Sequence, residues 1–438
     1  MFDRYQHEAP RSVQSQPVTI VAIDEKSLAR WGQWPWPRHK LATLIDTIGK
    51  HEPAAIGLDM YMPEVDQTSP GQVALTLETS QPALAQQLKA LPSNDEFLSK
   101  SLQRTPSVLG AAGFDFKTYT TSEGLRTWPL NLQGGDHMPS AARDYPAVLA
   151  SLPMLQSAAS GQALLSVDSE QGAVRRMPLV ASVAGQPVPS LALEMFRVAM
   201  GESSSQIRLD SHGIDSVNVG DLRIPTQPNG DVFVHFSPQS ETLQRYVSAL
   251  DVLENKVDPE ALSGKLVLIG LTGMGLNDMR TTALGELVPG IEIQAQLIES
   301  IFDQRFLLRP WWMVLTEVCC ALLVGGLMIW LLPRLSPSNR MGVIYRLPKV
   351  GLIVSLGINA VAVGAGFYIF RTHGLLFDAA SFFLVTSAVF GMIFAFVKAC
   401  AAKAQKELKE KEWAELVQRA EQAEAALQHH SRANWKPA

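Results

Sequence analysis

Cysteine is scarce in this sequence of 438 residues, and its three cysteines lie in or beside an apolar C-terminal region (Cys319, Cys320 and Cys400). The long stretch ahead of Cys319 therefore holds neither a disulfide nor a thiolate metal site. Basic residues are not in excess, because 37 Lys and Arg stand against 42 Asp and Glu, a net charge of −5. This balance argues against a general nucleic-acid-binding protein, which usually presents a basic stripe.

Motifs that carry enzyme chemistry are also missing. The histidines ahead of the apolar region show no i, i+4 pair, and no serine lies in a G-x-S-x-G elbow. Gly270, Gly273 and Gly275 follow an apolar run, but no Lys-Ser or Lys-Thr pair completes a phosphate-binding loop. A tight turn explains these glycines better than anion binding. We therefore expect no catalytic activity, no cofactor and no bound metal.

Three long apolar runs occupy the C-terminal region, at residues 311–332, 350–370 and 375–397. Each has about 20 residues, enough for a helix that crosses a hydrocarbon core of about 30 Å. Trp311 and Trp312 stand at the start of the first run, where aromatic rings favour the headgroup layer. Buried helices of a soluble protein are the alternative, but three in succession favour transmembrane helices.

Lysine and arginine counts predict the orientation of these spans. Nine basic residues lie between the first two runs or just after the third: Arg334, Arg340, Arg346, Lys349, Lys398, Lys403, Lys406, Lys409 and Lys411. Three lie on the other side: Arg305, Arg309 and Arg371. Positive residues concentrate on the cytoplasmic side, so the C-terminus is predicted to be cytoplasmic. The part ahead of the first span is then predicted to be extracytoplasmic.

Residues 1–16 form a polar N-terminal stub without the apolar core of a signal peptide. Translocation of a large domain normally needs such a segment or an anchor helix. An anchor upstream of Met1, or an inverted topology, would account for this. The strong charge bias favours the upstream anchor.

Residues 17–305 are predicted to form one large α/β domain with a mixed sheet. Apolar strands at 17–24 and 54–61 flank a helix with Leu41, Leu44, Ile45 and Ile48 on one face, which is a βαβ unit. Residues 164–167 and 174–180 flank a turn and suggest a hairpin.

Further strands are expected at 231–236 and 265–270, and further helices at 190–200 and from Ile291 to Phe302. Residues 62–105 and 117–150 are predicted to be long irregular insertions.

Six residues are candidates for ligand binding. Asp24 and Asp59 follow two strands that should be neighbours, at the sheet edge where ligands bind in open α/β folds. Helix capping is the alternative role for both. Trp34 and Trp36 offer a stacking surface or pack a helix entry onto the sheet, and Arg38 follows them.

Arg175, the sixth candidate, follows the predicted turn. It would bind an anion or form a salt bridge on a solvated face. The choice between these two roles stays open.

Residues 398–438 are predicted to be a cytoplasmic helical tail. Trp413, Leu416, Ala420, Ala423 and Leu427 follow the 3-4-3-4 spacing of a short coiled coil, which suggests a homodimer. A single solvated helix is the alternative, because two heptads are few.

Taken together, these segments resemble the type 2 CHASE domain of bacterial membrane receptors. The matching stretches are VAIDEKS (21–27), WPWPR (34–38), IGLD (56–59), DSEQGAVRRMPL (168–179), PSLALE (189–194), GKLVLIG (264–270) and PGIEIQAQ (289–296). They occur in the family's order and cover nearly all of residues 17–305. WPWPR after the first strand is the specific motif, and the three spans that follow resemble the family's arrangement.

The resemblance implies an extracytoplasmic sensory domain that binds an unknown ligand. Related receptors carry a cyclase, a histidine kinase or another output module after the spans. This sequence departs from that pattern: residues 1–16 contain no apolar segment that could be the usual anchor helix, and the roughly 40 residues after the last span are too few for an output enzyme. We therefore expect it to signal through a separate cytoplasmic partner such as a cyclase or kinase. The alternative is a scaffolding membrane protein whose outer domain binds another protein.

Overall fold

The computed structural model describes residues 1–117, 125–166, 170–276, 278–331 and 340–433. The chain divides into two compact units. The first comprises Met1–Trp311 and Ile369–Leu376, and the second comprises Trp312–Tyr368 and Phe377–Ala438.

Helices occur throughout the chain, from its N-terminus to its C-terminal region. They are α1 Phe2–Glu8, α2 Glu25–Trp31, α3 Arg38–Gly49, α4 Pro70–Leu77, α5 Pro82–Lys89, α6 Asn94–Arg104, α7 Pro153–Ala158, α8 Leu191–Ala199, α9 Gln239–Thr242, α10 Ala249–Leu253, α11 Gly290–Phe302, α12 Trp311–Leu331, α13 Arg340–His373 and α14 Ala379–Ala433. Short 3₁₀ turns occur at Leu243–Arg245 and Pro259–Ala261.

The strands of the described residues lie in the first unit. They are β1 Val18–Ile23, β2 Ala55–Leu58, β3 Ser107–Phe114, β4 Leu130–Gln133, β5 Asp144–Tyr145, β6 Ala147–Leu149, β7 Gly161–Leu164, β8 Arg176–Pro178, β9 Val180–Val183, β10 Gln186–Pro189, β11 Ser205–Asp210, β12 Gly213–Val219, β13 Leu222–Pro225, β14 Asp231–Phe233, β15 Tyr246–Ser248, β16 Leu266–Leu271, β17 Met279–Thr281 and β18 Leu287–Pro289.

The main sheet is largely parallel and has the strand order β15-β1-β16-β2-β3, with β7 and β6 both paired to β3. Of these strands, β6 runs antiparallel to its partner and the others run parallel to theirs. The predicted α/β class and the βαβ unit of β1, α3 and β2 are therefore confirmed. The two strands are not neighbours, however, because β16 lies between them.

Helices cover both faces of this sheet. Alternate residues of β1 and β16 point to opposite sides: Ile20 and Leu268 join one apolar cluster, and Val21 and Ile269 join the other. The first cluster contains α8 and α11, and the second contains α3 and α6. Burial on both faces explains why these strands are continuously apolar.

Smaller sheets surround this core, with the orders β13-β12-β11-β4, β10-β9-β5, β14-β8 and β17-β18. The hairpin predicted from residues 164–167 and 174–180 is wrong. β7 pairs with β3 in the main sheet, whereas β8 pairs with β14. Residues 167–169 of the predicted turn lie outside the described residues.

The first predicted insertion, residues 62–105, is helical rather than irregular, because it contains α4, α5 and α6. Proline occupies the first turn of α4 and α5, and the Ser93 hydroxyl caps α6 by accepting a hydrogen bond from the Glu96 amide (3.1 Å). The second insertion, 117–150, contains the short strands β4, β5 and β6. Its residues 118–124 lie outside the described part of the chain.

The N-terminal stub belongs to the first unit. Gln6 in α1 is fully buried, donates a hydrogen bond to the Val234 carbonyl (2.9 Å) and accepts one from the Phe236 amide (2.8 Å). These two bonds explain how a polar segment becomes part of the domain. The side-chain amide of Gln6 donates to and accepts from the backbone of residues 234 and 236, as a neighbouring strand would.

The C-terminal region is helical, as predicted. Among the described residues, two helices are long and apolar enough to cross a membrane, at Trp311–Trp330 and Ala379–Leu427. The predicted span at 350–370 lies within α13, which is not one of these two, so the arrangement of three spans stays a prediction. Residues 379–397 of the third predicted span and residues 398–433 of the predicted tail form one continuous helix, α14.

Candidate functional site

Asp24 follows β1 and caps helix α2. Its carboxylate accepts hydrogen bonds from the Ser27 amide (2.9 Å), the Ser27 hydroxyl (2.6 Å) and the Ser248 hydroxyl (2.9 Å). Ser248 ends β15, the neighbour of β1, so this contact joins two strands and a helix. With three internal donors, Asp24 has the geometry of a structural cap.

Asp59 follows β2, and its amide donates a hydrogen bond to the Ile269 carbonyl (2.9 Å). The pKa of its carboxyl is raised to about 7, chiefly by burial and then by the charge of Asp278, while Arg280 opposes the shift. Asp59 therefore titrates near neutral pH, unlike an ordinary surface aspartate.

Asp24 and Asp59 lie at the same edge of the sheet, as predicted, but the prediction that their strands are neighbours is wrong. Two interstrand spacings put about 10 Å between their backbones. Within the described ranges, no group of three His, Cys, Asp or Glu side chains could hold a metal ion. The two carboxylates thus form separate features of this edge.

The tryptophans of the WPWPR motif take part in packing. Trp36 is 2% exposed, and its indole nitrogen donates a hydrogen bond to the Gly32 carbonyl (2.8 Å). Its ring centroid lies 5.8 Å from that of Trp31 and 6.2 Å from that of Trp34. These three tryptophan rings pack the start of α3 against the sheet. Of the two tryptophans in the motif, only Trp34 is partly exposed and could contact a ligand.

Arg38 contacts two acidic residues of the helical insertion, Asp66 ahead of α4 and Asp95 in the first turn of α6. Its amide donates a hydrogen bond to Asp66 (2.6 Å), and its guanidinium lies 3.8 Å from Asp95. Burial lowers the pKa of Arg38, and the charges of Asp95 and Asp66 oppose that shift. These contacts hold the start of α3 against the helical insertion.

Arg175 forms a two-pronged ion pair with Asp3 of α1. The distances are 2.7 Å from Nε to Oδ1 and 2.6 Å from Nη2 to Oδ2. The hydrogen bonds to Asp3 raise the pKa of Arg175. The structure thus places Arg175 in the salt bridge that the sequence left as the alternative to anion binding.

A group of buried charged side chains on and around helix α11 was not predicted from the sequence. We call Arg11, Arg245, Glu292, Glu299 and Asp303 the α11 charge cluster. Glu299 Oε2 lies 2.6 Å from Arg11 Nη2 and 2.8 Å from Arg245 Nη2. Arg245 also reaches Glu292 (3.1 Å), and Arg11 also reaches Asp303 (3.1 Å). Every side chain in the cluster is at most 3% exposed.

The α11 charge cluster holds one more acid than base. Burial raises the pKa of Glu292, against the effects of Arg245, Tyr246 and Gln296. The Tyr246 hydroxyl and the Gln296 amide donate hydrogen bonds to Glu292, at 2.6 and 3.0 Å. Within the described residues, Glu299 Oε1 has no hydrogen-bond partner. Such a cluster responds strongly to the loss of a single charge, because its members are removed from water.

A sequence signal for this cluster exists. Glu292, Gln296, Glu299 and Asp303 recur at 4-3-4 spacing and so mark a polar stripe on a helix whose other face is apolar. The apolar spacing of Ile291, Ala295, Ile298 and Phe302 predicted the helix, whereas the stripe's partners, Arg11 and Arg245, lie far away in the sequence.

The segment after α11 pairs with the loop after α13. The Leu308 amide donates a hydrogen bond to the Gly374 carbonyl (2.8 Å), and the Leu376 amide donates one to the Leu308 carbonyl (2.9 Å). We call residues 303–310 together with Ile369–Leu376 the junction. Phe370 adds ring contacts, its centroid lying 5.5 Å from that of Tyr5 and 5.8 Å from that of His235. The loop between α13 and α14 is therefore attached to the domain that contains α11.

Comparison with known proteins identifies the family. The family model of the CHASE2 domain matches residues 1–327. Neither the curated proteins nor the solved structures give a significant match. The match covers the sheet, the α11 charge cluster and most of α12, and it confirms the resemblance drawn from the WPWPR motif. The chain therefore belongs to the CHASE2 family of extracytoplasmic sensory domains.

Proposed function

We propose that this protein is a membrane-anchored sensory receptor. Its large domain detects an extracytoplasmic signal, and its C-terminal helices relay the signal to a cytoplasmic partner that provides the output activity, such as a cyclase or a kinase. The receptor itself has no catalytic role in this proposal. The proposed location is a bacterial inner membrane, with the large domain on the periplasmic side.

The observation that carries this proposal is the junction. Helix α11 is followed by Leu308, which pairs with Gly374, and α12 begins soon afterwards at Trp311. A shift of α11 would act on α12 through the chain and on α13 and α14 through the paired loop. One movement of the sensory domain would thus act on every proposed span.

The α11 charge cluster supplies a reason for discrete positions of this helix. Displacing Glu299 from Arg11 and Arg245 would leave buried charges unpaired, so intermediate positions are costly. A signal must then bind the two arrangements with different affinity, since otherwise it shifts nothing.

The tail would present the change to the partner. Trp413, Leu416 and Leu427 are exposed on α14 and lie on the predicted coiled-coil seam. We propose that two copies pair through this seam and that the paired helices form the surface the partner recognises.

The test captures the partner and then measures its activity. A photoreactive amino acid at Trp413 in the full chain should cross-link a cytoplasmic protein in cells, and deletion of residues 403–438 should abolish its regulation. The activity of that protein is then compared beside the wild-type chain and beside Glu299→Gln, with the exposed Glu260→Gln as the matched control. We expect Glu299→Gln to change the activity and Glu260→Gln to leave it unchanged.

Two outcomes would contradict the receptor. One is a folded Glu299→Gln variant that regulates the partner as the wild type does. The other is capture of a partner only through the large domain, with no dependence on residues 403–438. The second outcome would favour the scaffolding alternative.

A further inference from the structure

An open groove of about 650 Å³ lies at the amino edge of the main sheet. Pro17, Ala54 and Leu266 line it where β1, β2 and β16 begin. It is therefore at the opposite end of the strands from Asp24 and Asp59. Its volume falls within the range of about 300–1,000 Å³ that small-molecule sites occupy.

Apolar side chains form the walls. Phe196, Ala199 and Met200 come from the end of α8, and Phe302 is the last residue of α11. Met200 is 44% exposed and Phe302 is 54% exposed, so two large apolar side chains face water at the groove. Such a surface would be stabilised by a hydrocarbon chain that removes it from water.

A single lysine supplies the charge of the lining. Lys265 donates one hydrogen bond from Nζ to the Gln16 carbonyl (2.5 Å) and keeps two donors for a further partner. The nearest acid in sequence to Phe302 is Asp303, whose carboxylate is already held by Arg11 and Ser15. An anionic group is therefore the complement of this end of the groove.

We propose that the groove binds an amphipathic anion with one hydrocarbon chain. The chain lies along Phe196, Met200 and Phe302, and the anionic head meets Lys265. A sugar or a nucleotide would leave most of its polar groups facing apolar walls, which disfavours them. This inference names a class of signal for the receptor and rests on the proposed function to that extent.

The position of Phe302 connects the groove to signalling. Phe302 lies one residue before Asp303 of the α11 charge cluster and six before Leu308 of the junction. A chain packed against Phe302 would favour one position of the end of α11. The binding step itself requires no cytoplasmic partner, so it can be tested separately.

The test locates a ligand by photocross-linking. The full chain in lipid nanodiscs is irradiated with a fatty acid that carries a diazirine on its chain, and the cross-linked peptides are mapped by mass spectrometry. We expect cross-links at the end of α8 and at Phe302, in addition to the apolar helices that contact lipid. Ala199→Trp should fill the groove and reduce its cross-links at least tenfold while those in the apolar helices stay unchanged.

Second variants guard against misfolding and test the head group. Met200→Glu puts a charge on the wall at an exposed position and should also reduce cross-linking in the groove. Lys265→Gln should weaken the binding of the fatty acid about tenfold and leave the binding of the fatty alcohol with the same chain unchanged. Lys50→Gln, an exposed lysine elsewhere, should change neither.

Competition identifies the ligand class more closely. Each added methylene in a competing fatty acid should tighten its competition about fourfold, since about 0.8 kcal/mol accompanies each buried methylene. A lysophosphatidate with the same chain tests whether the head group is a phosphate rather than a carboxylate. The stronger of the two competitors identifies the head group that the groove prefers. Alkyltrimethylammonium should compete at least tenfold more weakly.

Three results would overturn the proposal: cross-links confined to the apolar helices, groove cross-links that persist in Ala199→Trp and Met200→Glu, or equal competition by the cationic amphiphile. Binding in the groove without any change in a partner's activity would support the site and contradict the receptor. Regulation of a partner without binding in the groove would support the receptor and contradict the proposed ligand site.

Discussion

Leu308 and Gly374 are joined by a hydrogen bond of 2.8 Å from the amide of the first to the carbonyl oxygen of the second. The two residues are 66 positions apart in the chain, and one lies before α12 while the other lies after α13. The bond makes the end of the sensory domain and the loop between the last two helices parts of one structure. It is the physical basis for expecting the helices to respond together.

Gly374→Ala should open the junction. Gly374 has a φ of +66°, which an L side chain rarely adopts, and a Cβ there would collide with the Phe306 carbonyl. A loss of about 1–2 kcal/mol should make the Leu308 and Leu376 amides exchange hydrogen about tenfold faster. Hydrogen-exchange mass spectrometry of the full chain measures this.

Gly185→Ala is the matched control for that experiment. Gly185 also has a positive φ, +82°, but no atom lies within 4 Å of an added Cβ. It should cause similar backbone strain and leave exchange at Leu308 unchanged. Unchanged exchange at Leu308 in Gly374→Ala itself would contradict the assigned role of this pairing.

Arg245→Ala should destabilise the sensory domain severely. The guanidinium pairs with Glu292 and Glu299 where both side chains are 1% exposed, so its removal leaves the buried Glu292 without a cation and Glu299 with Arg11 alone, at a cost of about 3–5 kcal/mol. Urea unfolding of the full chain, followed by tryptophan fluorescence, measures the free energy of unfolding.

The control for Arg245 is Arg223→Ala. Arg223 pairs with Asp215, but its side chain is 57% exposed, and such pairs contribute at most about 1 kcal/mol. Equal losses for the two variants would show that the α11 charge cluster is not a buried network in solution.

Asp59 should make the stability of the domain depend on pH. Its pKa is about 7 in the folded protein, against an ordinary value of 3.8, so the folded state holds a proton that the unfolded state has released between these values. Stability should therefore be greatest below pH 4 as far as this group is concerned, and fall as the pH rises toward 7. The difference between the two pKa values corresponds to a contribution of about 4 kcal/mol.

Asp59→Asn should remove that dependence, because the amide does not titrate. Unfolding measured from pH 4 to pH 8 should give a flatter curve for the variant than for the wild type. Asp46→Asn, which changes a carboxylate paired with Arg104 at the surface, should keep the wild-type curve. Identical curves for all three proteins would mean that Asp59 is not buried in solution.

Local sequence patterns predicted the elements whose neighbours are close in the chain. The near-continuous burial of β1 and β16 and the apolar faces of α3 and α11 follow from the local pattern of apolar residues. The insertion of β16 between β1 and β2 could not be predicted in this way, since its register, Ile20 with Leu268, joins residues with no local relationship. The prediction that Asp24 and Asp59 lie at one edge of the sheet was therefore right, whereas the prediction that their strands are neighbours was wrong.

For the candidate site too, the sequence predicted individual residues but not the partners that they contact. Asp24, Trp36, Arg38 and Arg175 were predicted as candidates for ligand binding, and in the structure each makes a specific contact within the domain. Which contact it makes depends on Ser248, Asp66 and Asp3, residues that no short motif connects to them. The helices in residues 62–105 were not predicted, although Pro70 and Pro82 occupy the first turns of α4 and α5, a position that suits proline.

The orientation of the chain in the membrane tests the central claim most directly. In a chain whose three cysteines are replaced by serine, Ser80→Cys places a thiol on the sensory domain, and Ala423→Cys places one on α14, both at exposed positions. Intact spheroplasts are treated with a membrane-impermeant maleimide and then compared with lysed ones. The receptor predicts that the thiol at position 80 reacts in intact spheroplasts and that the one at position 423 reacts only after lysis. The opposite pattern would contradict it.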